Sequence, residues 1–311
     1  MKNLDWLRLA ALSVLWGLTF LFVSLSLRGF PEFSVVFLRV FLGAVTFWLL
    51  VLATRTRMPR DWRTWRAFLV MGLFTNAIPF SLITWEQTQV EGGIASIINA
   101  TTSFFVVVLA HFLTKDEKLS VRKAAGVLIG LFGAYVLLRP ELGGGMSMRG
   151  LGQIAGLAAS VCLALGAIYG KRFRHLSPMQ TATGMLTCSS AALFPFALVI
   201  DRPWTLSPDV AAVGAIAGLV LLSTVLAYLL YFGVLRSAGA TNLLLVTLLM
   251  PVSAHILGAV FLDERLYATS VAGMVFIVFG LGIIDGRMLR RLRGVKTSDS
   301  APLEARDVEE E

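Results

Sequence analysis

The chain has 311 residues, 57% of them hydrophobic and only 15% charged, with a formal net charge of +8. Soluble domains run at roughly 45–50% apolar and 25% charged, so this composition excludes an ordinary soluble globule and indicates a membrane protein. The two cysteines, Cys162 and Cys188, are too few and too isolated for a disulfide framework or a metal cluster, and each reads as a packing residue.

Apolar runs fall near residues 6–27, 33–54, 67–87, 91–113, 121–138, 151–170, 178–200, 210–234, 239–262 and 267–286. Each approaches or exceeds the ~20 residues that cross a hydrocarbon core about 30 Å thick. The expected fold class is an all-α membrane protein with ten transmembrane helices. Polar groups within such helices are costly unless they face a cavity or a partner, so they mark candidate sites.

In chain order, the first span carries Trp16 and Phe20, and the second holds Arg39 within its length. Asn76, Phe80, Ile83 and Gln87 of the third are spaced as one helical stripe. Asn99, Thr102 and Ser103 share a face of the fourth. Thr224, Tyr228 and Tyr231 do so on the eighth, and Thr247, Pro251 and His255 are spaced by four on the ninth. Trp16, Phe20, Phe80, Trp85, Tyr228 and Tyr231 form a candidate aromatic wall for a flat or aliphatic solute. Proline removes an N–H and clashes with the carbonyl four residues earlier. Pro79 and Pro251 are therefore candidate helix breaks, freeing the carbonyls of Thr75 and Thr247. For His255 helix contact is the simpler expectation, with a proton role as the sharper one.

Two halves of the chain are alike. Asp116-Glu117-Lys118-Leu119 aligns with Asp263-Glu264-Arg265-Leu266, an offset of 147 residues. At that offset Ala125-Gly126 meets Ala272-Gly273, Phe132-Gly133 meets Phe279-Gly280, and Gly92 meets Gly239. The expected units are 1–140 and 147–287, each of five spans, followed by a disordered cytoplasmic tail at 288–311. An odd number of spans makes the second unit enter the membrane from the opposite side, so the repeat is expected to be inverted.

The basic residues test this independently. Arg55, Arg57, Arg60, Arg63 and Arg66 follow span two, against Arg202 alone after span seven; Lys171, Arg172 and Arg174 follow span six, against Arg28 after span one. Lysine and arginine concentrate on the cytoplasmic side of a membrane, and all of them except Arg28, Arg39, Arg139, Arg149, Arg202 and Arg265 then fall on the side of the two termini. Both termini are expected to be cytoplasmic. The positive charge becomes a topology signal and leaves no role for nucleic acid.

This arrangement, with the D-E-[KR]-L-x5-A-G-x5-F-G motif in both halves, Gly92-Gly-Ile-Ala-Ser-Ile-Ile-Asn-Ala-Thr-Thr in span four and Thr247-Leu-Leu-Met-Pro-Val-Ser-Ala-His in span nine, resembles the EamA-type branch of the drug/metabolite transporter superfamily. The resemblance covers about residues 5–286. It implies a multi-pass protein of the bacterial inner membrane that exports a small-molecule solute, aromatic or hydrophobic amino acids being the nearest expectation and other metabolites or drugs the alternative. It also implies a central cavity lined by spans one, three, four, six, eight and nine, with five and ten behind. Family members often carry a proline where this chain has Ser103, so a broken helix is expected in span nine rather than span four.

The expected substrate-binding residues are thus Trp16, Asn76, Phe80, Asn99, Ser103, Tyr228, Tyr231, Thr247 and His255, with no catalytic group, no cofactor and no metal. No phosphate-binding loop is present; Gly143-Gly144-Gly145 reads as a flexible turn. An intramembrane enzyme would need paired acids, a metal cluster or a nucleophile and base at one depth, and His111, His175 and His255 are scattered. A membrane scaffold would need no inverted halves with polar stripes in corresponding helices. The acids, Glu86 among them, fall at span ends, in loops or in the tail, which disfavours a proton antiporter built on a central carboxylate. Oligomeric state is not written in the sequence.

Overall fold

Every regular element among the described residues is helical. The computed structural model describes residues 3–114, 119–142, 147–231, 234, 245–265 and 267–285. The helices are α1 (Asn3–Ser26), α2 (Glu32–Ala53), α3 (Trp62–Gly72), α4 (Ile78–Glu86), α5 (Gly92–Ala100), α6 (Thr102–Leu113), α7 (Val121–Leu142), α8 (Met148–Gly170), α9 (Pro178–Val199), α10 (Val210–Val220), α11 (Leu245–Leu262) and α12 (Ala268–Asp285). A π-turn, Leu73–Ala77, joins α3 to α4, and a second, Leu221–Leu226, extends α10.

Among the described residues seven segments are long and apolar enough to cross a membrane: Trp6–Ser26, Glu32–Ala53, Trp62–Glu86, Gly92–Leu113, Met148–Phe173, Pro178–Val199 and Val210–Tyr231, while Leu249–Leu262 and Ala268–Ile284 are apolar but shorter. Their ends are set by local chemistry. The Asp61 carboxylate accepts the Thr64 N–H at the start of α3, and Ser177 and Gln180 cap α9 reciprocally; both satisfy donors that a helix start leaves open.

Glycines decide how closely α7 and α12 approach. A Cβ on Gly126 would lie 2.7 Å from the Gly280 carbonyl oxygen, and one on Gly133 would lie 2.8 Å from that of Gly273. The two helices therefore run antiparallel and in backbone contact. At the 147-residue offset Gly126 corresponds to Gly273 and Gly133 to Gly280, so each contact maps onto the other when the halves are exchanged. The same exchange relates other features. Helix α1 packs on α11, while α8 packs on α5 and α6; α2 packs on α9. The two π-turns fall at corresponding places, as do Arg55 and Arg202, both left-handed at φ 51° and 49°.

The connections separate into two ends. At one, the Gln180 amide donates to the Arg57 carbonyl oxygen and Phe68 stacks on Phe173. At the other, Asp201 accepts the Ser34 N–H, Arg149 pairs with Glu91 at 2.6 Å, and the Glu264 carboxylate accepts the N–H groups of Gly92 and Gly93 at 2.9 and 3.0 Å.

Two expectations about helix breaks differ from what is observed. The fourth rod is interrupted at Thr101, whose N–H and hydroxyl both reach the Ile98 carbonyl three residues back; this tightened turn needs no proline. Pro251, by contrast, lies within the uninterrupted helix α11. Pro79 sits just after the first π-turn, at the start of α4. The Gly143–Gly145 run, the Asp116-Glu117-Lys118 segment and the tail from 288 onward lie outside the described residues.

Candidate functional site

Between the two halves lies a cavity of about 740 Å³, within the range of about 300–1,000 Å³ typical of small-molecule sites. Its aromatic lining is Trp16 and Phe20 of α1, Phe80 of α4, Phe173 after α8, and Tyr228 and Tyr231 beyond the second π-turn. The Trp16 and Tyr231 rings stand 5.8 Å apart, and Phe47 meets Tyr228 edge-on at 6.1 Å. Polar lining comes from Thr19, Thr75, Thr84, Asn99, Thr102, Ser103, Ser223 and Thr224. The cavity extends to Arg174, Leu176 and Pro178, at the end that carries the basic loops.

The expected residues divide. Trp16, Phe80, Asn99, Ser103, Tyr228 and Tyr231 all border the cavity. Asn76 does not: it is wholly buried, its amide N–H donating to the Ser189 hydroxyl of α9 at 3.2 Å. The π-turn explains this departure from the stripe. It adds a residue to the turn, so Phe80 and Ile83 keep the cavity face while Asn76 rotates toward α9. His255 is also absent from the lining; its ring lies against Gly93, with Nδ1 3.2 Å from the Pro251 carbonyl oxygen. Trp85 is not part of the wall. The Thr247 side chain lies outside the described residues.

Arg39 is the residue whose importance the sequence understates. It stands within the first half of α2, 8% exposed, with its guanidinium carbon 4.0 Å above the centre of the Phe80 ring. Its Nε donates to the Thr224 hydroxyl at 3.1 Å, and that hydroxyl donates to the Leu219 carbonyl 2.9 Å away, a bond five residues long made by the second π-turn. The π-turn thus fixes the threonine, and the threonine with the Phe80 face fixes the plane of the guanidinium. The signal available in the sequence was its isolation, as the single basic residue assigned within a span.

Glu86 is a second unexpected feature. It ends α4, fully buried against Gly156 of α8, and neither carboxylate oxygen has a hydrogen-bond partner among the described residues. Of the lining elements anticipated from the resemblance, spans one, three, four, six, eight and nine all contribute, nine through Met250. Arg39 of span two and Thr181 and Met185 of span seven contribute as well.

A solute-sized, part-aromatic cavity between two like halves of an apolar helical chain suits a membrane transporter. Residues 6–139 and 150–284 each match the EamA-like transporter family. The chain belongs to that family, as a member of the drug/metabolite transporter superfamily with two copies of its domain. It is 26% identical over 280 residues to a probable amino-acid metabolite efflux pump of Escherichia coli, covering 87% of this chain and 91% of the relative. It is 23% identical over 276 residues to the uncharacterized transporter YoaV of Bacillus subtilis, covering 88% and 94%. A solved crystal structure superposes with a TM-score of 0.67 at 19% identity, covering 94% of this chain and 99% of the other, which shows a shared fold.

Proposed function

We propose that this protein exports a small metabolite across the bacterial inner membrane by alternating access, with aromatic or hydrophobic amino acids and their derivatives as the cargo class. The observation that carries this reading is the cavity shared by the two halves, with its aromatic wall of Trp16, Phe20, Phe80, Tyr228 and Tyr231 and its polar groups at Asn99 and Ser103. The name of the Escherichia coli relative, an amino-acid metabolite efflux pump, favours the same class.

The proposed topology is ten spans in two inverted halves, with both termini cytoplasmic. It is supported by the exchange of contacts between α7 and α12 and by the basic loops at the end where the cavity reaches Arg174. In that orientation the cavity faces the cytoplasm, the loading stage of an exporter, and the contacts of Glu264 and Glu91 close the far side. Counterflow into proteoliposomes preloaded with single amino acids or their derivatives tests the function. Accelerated uptake of labelled solute by the protein supports it, and uptake equal to that of empty vesicles across the panel overturns it.

A further inference from the structure

We propose that Arg39 is the anchor for a carboxylate, and that the preferred cargo is an organic anion with an apolar body rather than a zwitterion or a cation. The inference rests on the reading of the cavity as a transport site and narrows what that site takes.

A guanidinium at this depth is expensive to keep unless it is paired or functional. Among the described residues no acid pairs with Arg39, and no Asp or Glu borders the cavity. The partners it contacts, the Thr224 hydroxyl and the Phe80 face, are neutral, as is the nearby Tyr228 phenol. They use Nε and one face of the plane, leaving the two terminal nitrogens as a fork. A planar fork with parallel N–H groups fits a carboxylate in bidentate fashion. Arg39 borders the cavity together with Tyr228 and Phe80, so a carboxylate on the fork lies beside the aromatic wall that receives the apolar body.

The repeat separates this role from a structural one. The counterpart of Arg39 in the second half is Leu186, a fully buried core residue, so the fold accommodates an apolar side chain at this place. The cation exists only where it meets the cavity. Arg174 at the mouth adds a second positive charge. A cargo amine meets two cations and no acid, and that juxtaposition disfavours positively charged groups. Carboxylates whose amine is acylated or absent therefore fit better than free amino acids.

The test uses the full chain and five probes sharing a phenyl ring: phenylpropionate and N-acetylphenylalanine as anions, phenylalanine as zwitterion, and phenylalanine amide and phenylethylamine as cations. Calorimetric titration reads binding, and proteoliposome counterflow reads flux. The expected order is anions over phenylalanine over cations. Arg39→Gln should weaken anion binding by about tenfold or more, in keeping with a hydrogen bond to a charged group, and Arg39→Lys should recover part of it. Thr224→Val, which removes the Nε partner and that hydroxyl's bond to the Leu219 carbonyl but keeps the guanidinium, should weaken anions less than Arg39→Gln. If Arg39→Gln does not fold, the wild-type order and the Thr224→Val result decide. Anion binding that depends on Arg39 without flux upholds the anchor and sinks the export reading. Flux of the amines with no anion binding does the reverse. Equal binding of anions and cations, binding by none of the probes, or anion binding unchanged in Arg39→Gln overturns the inference.

Discussion

Gly126 and Gly280 face each other across α7 and α12 with no room for a methyl group on either: a Cβ on Gly280 would lie 2.6 Å from the Gly126 carbonyl oxygen. The obstacle is backbone on both sides, so relief requires the helices to part. Gly280→Ala should therefore destabilise the fold by about 1–3 kcal/mol, the usual cost of overpacking, and lower the melting temperature in detergent. Gly214→Ala is the control, because nothing lies within 4 Å of a Cβ there. Equal melting of the two variants would refute the close packing.

Two asparagines that look alike in sequence should behave differently. Asn99 borders the cavity, so Asn99→Ala should reduce counterflow several-fold, the loss of a solute hydrogen bond being worth about 0.5–1.5 kcal/mol, with little change in melting. Asn76 bonds to Ser189 in the packed interior, so Asn76→Ala should lower the melting temperature first. The reverse pattern would return Asn76 to the site.

The Glu264 carboxylate binds the two N–H groups that open α5. Hydrogen bonds to a charged group contribute about 1.5–3 kcal/mol, and an acid at a helix start is also attracted to the positive end of the helix dipole. Glu264→Gln should lower the melting temperature, and Glu264→Ala should lower it further. Unchanged melting in both would mean that this contact does not hold the far side closed.

Asp61 caps α3 from solvent, and its bond to Thr64 is the main cause that holds its carboxyl below the usual carboxylate range. A lowered folded-state pKa favours the ionised form in the fold, so its contribution is present at neutral pH and lost as pH falls through the carboxylate range. Wild type should melt above Asp61→Ala at neutral pH, and the two should converge in acid. A gap that persists in acid would show that the cap does not act through its charge.

The helical membrane class and the close approach of α7 to α12 are legible because hydrophobic runs and the twice-written glycine motif are each set by local rules. Of the aromatics read from the sequence, Trp16, Phe20, Phe80, Tyr228 and Tyr231 border the cavity and Trp85 does not. Asn76 faces α9 because the π-turn before Pro79 changes the period of the helix, and no residue type announces such a turn. The interruption at Thr101 rests on hydroxyl bonding back to Ile98, which no proline marks, whereas Pro251 sits in a continuous helix. Arg39 appeared in the sequence only as an exception to the topology; its place over Phe80 depends on contacts between residues far apart in the chain.

The central claim is that the cavity between the halves is the route of transport, and site-specific blockade tests it most directly. In a background lacking Cys162 and Cys188, Asn99→Cys places a thiol on the cavity wall, while Val121→Cys places one on an exposed surface. After treatment with a bulky maleimide, counterflow of a transported solute should stop in the Asn99→Cys protein and continue in the Val121→Cys protein. Full flux through a completely labelled Asn99→Cys protein would contradict the account.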